Sequence, residues 1–167
     1  MVMLSDPVDS GFVSSLARPG GNTTGVGSFA LELSTKQLQL LTEALPSVTR
    51  VGVLWQAHHL PKARRVQEIQ EAAPALGLQI DSLAVDTPDE LASAIQAGIQ
   101  ARVDALFTLQ SDLTVGQRAR ILDLVGQTRL PAMYEVRDWT EAGGLMSLRT
   151  KLRRYAPARS VLRRPHP

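Results

Sequence analysis

Few side chains in this chain are of the kinds that do chemistry at neutral pH. There is no cysteine, and there are three histidines in 167 residues, which excludes thiolate nucleophiles, disulfides and thiolate metal sites. His58 and His59 stand side by side in the polar stretch Gln56-Ala57-His58-His59-Leu60. Two imidazoles can ligate a transition metal, but a zinc site wants three or four convergent ligands. Adjacent side chains diverge, and the third histidine, His166, is in the tail. A solvated loop at a cleft edge is the expectation, with no metal. Gly25-Val26-Gly27-Ser28-Phe29-Ala30 spells the dinucleotide pattern G-x-G-x-x-A. That pattern needs a buried strand before it and a helix opening on it. Pro19-Gly20-Gly21-Asn22-Thr23-Thr24 precedes it instead, and the next helix is expected to open only at Ser34. Neither a Walker-type loop nor a G-x-S-x-G elbow occurs, so no cofactor is expected. The acids Asp86, Asp112, Glu135 and Asp138 could gather as in a phosphotransfer receiver or a glycosidase. Their spacing selects no general acid and base, and each reads equally as a helix cap or loop acid. Catalysis is not supported.

The elements that would position these groups alternate regularly. Ser10 to Ala17 reads as a short helix stopped by Arg18-Pro19-Gly20-Gly21, and Thr23 to Ser28 as an extended connector. Ser34 is a plausible N-cap for a helix to about Leu45, with Leu38, Leu41 and Leu45 on one face. Val51 to Trp55 is an unbroken apolar run, as expected of a strand buried on both faces. A helix from Pro61 to Leu76 follows, closed by Gly77 and weakened by Pro74. Leu78 to Val85 is the next strand. Thr87-Pro88-Asp89-Glu90 opens a helix to about Ala101, with Thr87 as cap. Asp104 to Thr108, Leu130 to Tyr134 and Gly144 to Ser147 complete the strands, separated by helices over Leu113 to Gln127 and Val136 to Ala142. This order predicts the α/β class, a doubly wound, Rossmann-like parallel sheet with helices on both faces. Ligands in such sheets sit at the carboxyl ends of the strands. Four loops are therefore singled out: Gln56 to Leu60, Asp86-Thr87, Leu109 to Asp112 and Glu135 to Asp138.

Composition narrows the class further. The chain is 44% hydrophobic and 20% charged, a globular balance, with only 4% aromatic residues, so Ala, Leu, Val and Ile must build the core. The net charge of +2 is uneven. Residues 149–167 hold seven Arg and Lys and no acid, leaving residues 1–148 with a net of −5. The isoelectric point near 9.4 is thus a property of the tail, and a nucleic-acid partner is not expected from it. Residues 148–167 read as a basic, disordered tail, with a functional basic arm as the alternative. No apolar run reaches the ~20 residues of a membrane span, and Met1 to Asp6 has no signal-peptide pattern. Expressed as written, the chain would be expected to stay in the cytoplasm.

Several runs carry a more specific pattern. Ser5-Asp6-Pro7-Val8, Leu16-Ala17-Arg18-Pro19-Gly20-Gly21-Asn22-Thr23-Thr24-Gly25-Val26 and Glu43-Ala44-Leu45-Pro46 are three of them. Val51-Gly52-Val53-Leu54-Trp55 and Glu141-Ala142-Gly143-Gly144-Leu145-Met146-Ser147 are the others. Together they resemble the ABC-transporter substrate-binding protein family of the tryptophan/tyrosine-uptake-like type. The resemblance implies a type I periplasmic-binding-protein fold, in which two lobes close on a small solute. It also implies an amino-acid-like ligand, an ABC permease as partner and a periplasmic or cell-envelope location for the full-length protein. On that map residues 1–28 are a remnant of the first lobe with its hinge crossover. Residues 29–147 are the second lobe and return crossover.

Two departures from the family pattern matter. Most of the first lobe is missing from the sequence, so the chain is expected to be truncated at its N-terminus. After Ser147, where the family resembles Tyr-Gly-Pro-Asn, this chain reads Leu148-Arg149-Thr150-Lys151-Leu152. One set of codons for that run, read one nucleotide later, gives Tyr-Gly-Pro-Asn, so a frame change after Ser147 is expected. For the ligand, the resemblance and the strand-end rule together select Trp55, Gln56, Ala57, Ser111, Asp112, Tyr134 and Glu135. Ser5 and Asp6 would complete the cleft from the first-lobe side. Ser111 and Asp112 could meet an ammonium or hydroxyl group, and Tyr134 and Glu135 a cationic amine. The rival reading is a stand-alone Rossmann-like regulatory or small-molecule enzyme domain.

Overall fold

Val51, Val53 and Trp55 alternate along one strand with Gly52, Leu54 and Gln56, and all but Gln56 are buried. Such a strand needs a covering layer on each face, and the fold supplies both. The computed structural model describes residues 2–4, 25–27 and 30–148. Two short strands, β1 (Val2–Leu4) and β2 (Gly25–Gly27), pair in parallel with Val2 opposite Gly25. The second of them falls within the extended connector expected over Thr23 to Ser28. The helix expected over Ser10 to Ala17 lies outside the described residues, as do residues 149–167.

The main sheet has five strands in the order β4-β3-β5-β6-β7, all parallel. They are β3 (Arg50–Gln56), β4 (Gln79–Val85), β5 (Ala105–Thr108), β6 (Ala132–Tyr134) and β7 (Met146–Ser147). Helices α1 (Ala30–Ala44) and α2 (Leu60–Ala72) cover one face, where Leu38, Leu41, Val66 and Ile69 pack on Val51, Val53 and Phe107. On the other face α3 (Glu90–Gln100) and α5 (Arg118–Thr128) bring Leu91, Ile95, Ile121 and Val125 against Leu54, Leu106 and Tyr134. The doubly wound sheet is as expected from the sequence, and all five strands lie in one layer.

The departures are local and have physical causes. Helix α1 starts at Ala30, not after Ser34, because Ala30, Leu31, Glu32 and Leu33 are all good helix formers. Ser34 is therefore an interior residue, fully buried, and not a cap. Pro74 lacks an amide hydrogen and cannot continue α2, so Ala73–Leu76 tighten into a 3-10 turn. Gly77, at φ +69°, closes it by donating to Pro74 O at 3.0 Å. The helix expected over Leu113 to Gln127 is two: α4 (Asp112–Gly116) and α5, breaking at Gln117 after the weakly helical Gly116. Asp89, not Thr87, is the residue before α3, and it caps nothing with its side chain. Glu90 reaches back instead, accepting from the Asp86 N–H at 2.8 Å. The last expected helix shortens to α6 (Asp138–Glu141).

Candidate functional site

After β3 the chain places β4 on one side and then crosses to place β5 on the other. Strand order reverses at that point, so the crevice beyond the carboxyl ends of β3 and β5 is where a ligand is expected in this class of sheet. All four loops picked from the sequence leave that edge of the sheet, and hydrogen bonds tie them in two pairs, one on each side of the crevice. The Ala57 N–H donates to Val85 O at 3.1 Å, and Asp86 Oδ1 accepts from the His58 N–H at 2.8 Å. His58 Nδ1 lies 2.5 Å from the same oxygen. On the other side of the crevice the Gln110 N–H donates to Glu135 Oε2 at 2.6 Å.

Glu135 is the hub. Its side chain is 13% exposed. Arg65 Nη1 donates to Oε1 at 2.5 Å, and Lys62 Nζ stands 3.6 Å from Oε2. Burial opposes the charge of Glu135, yet Arg65 and Lys62 outweigh it and hold its carboxyl below the ordinary range. Arg65 also donates through Nε to Ser34 Oγ at 2.8 Å, and through Nη2 to the same hydroxyl. Gln37, one turn beyond Ser34 on α1, donates to Glu135 O at 3.0 Å. Three elements thus converge on Glu135: α2 through Lys62 and Arg65 and the loop after β5 through Gln110 meet its carboxylate, while α1 meets its backbone oxygen through Gln37 and steadies Arg65 through Ser34. Burial lowers the Lys62 ammonium below the ordinary lysine range, with Glu135 opposing and Arg65 adding to the effect.

The residues selected from the sequence fall into distinct environments. Trp55 is buried in β3, and its Nε1 donates to Ser82 Oγ on β4 at 2.8 Å. Gln56 and Ala57 are half-buried at the crevice edge. Ser111 caps α4: its Oγ accepts from the Thr114 N–H at 3.2 Å, and its own N–H donates to Thr114 Oγ1 at 2.8 Å. Asp112 is exposed in the first turn of that helix. Tyr134 is 1% exposed, and its ring stacks on Trp139 with centroids 4.7 Å apart. Burial pushes its phenol up to about 12. Its backbone oxygen accepts from Gln37 at 3.4 Å, so this residue meets the edge through its main chain. Ser5 and Asp6 lie outside the described residues. His58 and His59 are both exposed, and among the described residues no three His, Asp or Glu side chains gather as a metal site would need.

Sequence reasoning missed Ser34, Gln37, Lys62, Arg65 and Gln110. A signal for two of them was present. Arg65 occupies a buried position beside Val66 and Ile69 on the core face of α2, and a charge there needs a partner. Gln37 likewise interrupts the face made by Ser34, Leu38 and Leu41. Gln37 Oε1 and Thr108 Oγ1 are buried with no hydrogen-bond partner among the described residues. A separate open groove of about 290 Å³ runs past Leu122, Val125, Leu130 and Leu145, toward the amino ends of β6 and β7. Apart from Tyr134, no residue selected for the ligand lines it.

Comparison with known proteins agrees with the fold and the resemblance. The family model described as ABC transporter substrate binding protein matches residues 1–154. A tyrosine-binding protein of Clostridioides difficile (strain R20291) is 23% identical over 145 residues, covering 87% of this chain and 41% of its own length. Among solved structures, an ABC domain in complex with L-Trp from Streptococcus pneumonia superposes with a TM-score of 0.71 at 25% identity. That match covers 87% of this chain and 51% of the other. A ligand-free, open substrate binding protein with adhesive properties from Clostridium difficile gives a TM-score of 0.71 at 22% identity, over 87% and 48% of the two chains. The chain spans about half the length of these relatives.

Proposed function

Because the chain belongs to the ABC transporter substrate binding protein family, we propose that it supplies one α/β lobe of a solute-binding component of an ABC importer. The ligand is a small amino-acid-like molecule held at the carboxyl edge of the sheet, in the cleft between two lobes. Residues 29–147 form the second lobe, and residues 1–28 belong to the first lobe and the hinge crossover. The observation that carries this reading is the convergence of four strand-end loops on the crevice beside β3. The Arg65–Glu135 and His58–Asp86 pairs brace those loops from either side. This is a rigid polar rim of the sort that a closing cleft needs. Gln56, Ala57 and the Gln110-Ser111 turn are the parts of that rim able to meet a ligand.

The partner is an ABC permease, and the site of action is outside the cytoplasmic membrane. Among the described residues no hydroxyl on the rim is hydrogen-bonded to a histidine or carboxylate as an activated nucleophile would be, Ser111 being bonded to Thr114 instead, which favours binding over catalysis. Two relatives, whose names or complexes specify tyrosine and L-Trp, support an aromatic amino acid as the first class to test. Calorimetric titration of the purified chain with the amino acids tests the reading. Saturable heat with one amino acid, and none with nucleotides or Mg²⁺, is the expected result. A response to nucleotide or magnesium alone would replace transport with the regulatory or enzymatic reading.

A further inference from the structure

The two braces of the crevice differ in chemistry. On one side Arg65 holds Glu135, and both side chains are nearly buried. A guanidinium is effectively always charged, and the Glu135 carboxyl is held below its ordinary range, so that brace is shut across the neutral range. On the other side the cation is an imidazole, the side chain whose ordinary titration falls between about pH 5 and pH 8. His58 Nδ1 lies 2.5 Å from Asp86 Oδ1, and the His58 backbone N–H donates to the same oxygen at 2.8 Å. Two lone pairs cannot face each other at that distance, so a proton lies between Nδ1 and the carboxylate.

A neutral imidazole supplies that proton in only one of its two tautomers. The cation carries a proton on both nitrogens and meets the carboxylate as an ion pair, so the contact is strongest when His58 is protonated. Protons reach it freely, because the imidazole is 85% exposed. Burial works against the Asp86 charge, and His58 outweighs it through its side chain, its backbone N–H and its charge, so the carboxyl stays below its ordinary range. The acceptor is therefore ionised throughout the imidazole range. Other ionisable groups on the surrounding elements have partners of their own. Glu90, at the start of α3, accepts from the Asp86 N–H at 2.8 Å, and Asp89 lies 3.6 Å from Arg120. On α2, Lys62 lies 3.6 Å from Glu135 and Arg64 meets Glu68 at 3.2 Å. His59 follows in the same loop as His58 and is exposed.

We propose that His58 and Asp86 form a pH-dependent clasp on one side of the crevice. Below about pH 6 the imidazolium fastens the loop after β3 to the loop after β4. As the pH rises through the imidazole range the charge is lost, and that side loosens while the Arg65–Glu135 side stays shut. The loop after β3 carries Gln56 and Ala57, so acid stiffens the part of the rim that they occupy. The clasp is a property of the fold and stands whether or not a solute binds.

Amide exchange with water reads the clasp, measured by NMR on the full chain at about pH 5.5 and about pH 8 and corrected for the intrinsic rate. Two amides report on it: the His58 N–H, bonded to Asp86, and the Ala57 N–H, bonded to Val85 O. Their protection should fall about two- to five-fold from the lower pH to the higher, the size expected of an exposed pair. The Gln110 N–H, bonded to Glu135 on the permanent side, should keep its protection and is the internal control. His58→Gln is neutral at both pH values and leaves the backbone N–H in place, so it should abolish the fall. Asp86→Asn, which removes the charge of the acceptor, should do the same. No fall in wild type, an equal fall at Gln110, or a fall that persists in either variant overturns the proposal. The comparison of His58 with Gln110 needs wild type alone, so it decides the matter even if a variant fails to fold.

Discussion

Arg65 Nη1 lies 2.5 Å from Glu135 Oε1 across a sequence separation of seventy residues, and both side chains are nearly buried, at 7% and 13% exposure. The pair joins the core face of α2 to the loop that leaves β6. Removing one partner of such a buried pair strands the other, which typically costs about 3–5 kcal/mol. Arg65→Met should therefore destabilise the chain by about 3 kcal/mol, the lower figure because Lys62 and the Gln110 N–H still face Glu135. The double variant Arg65→Met/Glu135→Gln should recover part of that loss. Urea unfolding of the two single variants and the double variant measures the coupling. Simple addition of the single effects would mean that the two groups do not stabilise each other.

Acid should weaken the fold through depressed carboxylates. Glu135 is held below its ordinary value despite burial, by Arg65 and Lys62. Asp104 is held low chiefly by the Thr49 N–H, with the Arg50 N–H adding to it against the cost of burial. A carboxylate with a lowered folded pKa binds fewer protons folded than unfolded. Its contribution is complete above the unfolded value, about 4, and is lost as pH falls through the folded value. The midpoint of thermal unfolding should thus fall steadily below pH 4. Glu135→Gln should flatten that fall relative to wild type, and an unchanged slope would remove Glu135 from the account.

Lys62 carries the opposite sign. Its folded pKa is lowered by burial, so the protonated form is a cost to the folded state. That cost is present in full at neutral pH and is relieved as pH rises from the folded value toward about 10.4, the unfolded value. Stability should rise over the alkaline window below pH 10 in wild type and not in Lys62→Met. A urea midpoint series between pH 7 and pH 10 on the two proteins reads this directly.

The sequence made the layer order legible but not the rim. Val51 to Trp55 could be read as a two-faced strand because every residue in it is apolar or glycine. The helices between the strands were legible from spacing and stop residues such as Gly77. What periodicity could not supply was the partner of a buried polar residue. Arg65 stands in the sequence beside Arg64 and near Lys62, and only the return of the chain seventy residues later brings Glu135 to it. Ser34 misled for a related reason: a serine before an apolar pattern reads as a cap, and its hydroxyl is spent on Arg65. Tyr134 was chosen for its place at a strand end, yet its ring points into the layer that holds Trp139, because β6 is covered on that face by α5 and α6.

The paired glycines of Glu141-Ala142-Gly143-Gly144 have separate structural reasons, and these can be tested apart. Gly143 has φ +105°, a conformation that side chains rarely adopt, with nothing within 4 Å of a built Cβ. Gly144 has an ordinary backbone but no room. A Cβ there would lie 2.7 Å from Tyr134 Cε2 and 2.8 Å from the Trp139 carbonyl oxygen. Gly144→Ala should cost about 1–3 kcal/mol through overpacking and disturb the Tyr134–Trp139 stack, seen as a change in near-ultraviolet dichroism. Gly143→Ala should destabilise through backbone strain while leaving that signal close to wild type. Identical spectra for the two variants would refute the distinction.

Ser111 can be assigned between capping and ligand contact by substitution. In the structure its hydroxyl accepts the Thr114 N–H and its backbone N–H donates to Thr114 Oγ1, which satisfies two donors at the start of α4. Ser111→Ala removes one of these bonds and should cost about 1 kcal/mol. Ser111→Asp keeps an N-cap acceptor, so it should retain most of that stability. The two variants separate the roles because an added carboxylate beside the crevice changes the size and charge of the surface that a bound solute would meet. If Ser111 only caps the helix, Ser111→Ala binds the solute as wild type does and shows its loss in the urea midpoint alone. If its hydroxyl also contacts the solute, Ser111→Ala loses affinity beyond what its stability predicts, and Ser111→Asp loses more.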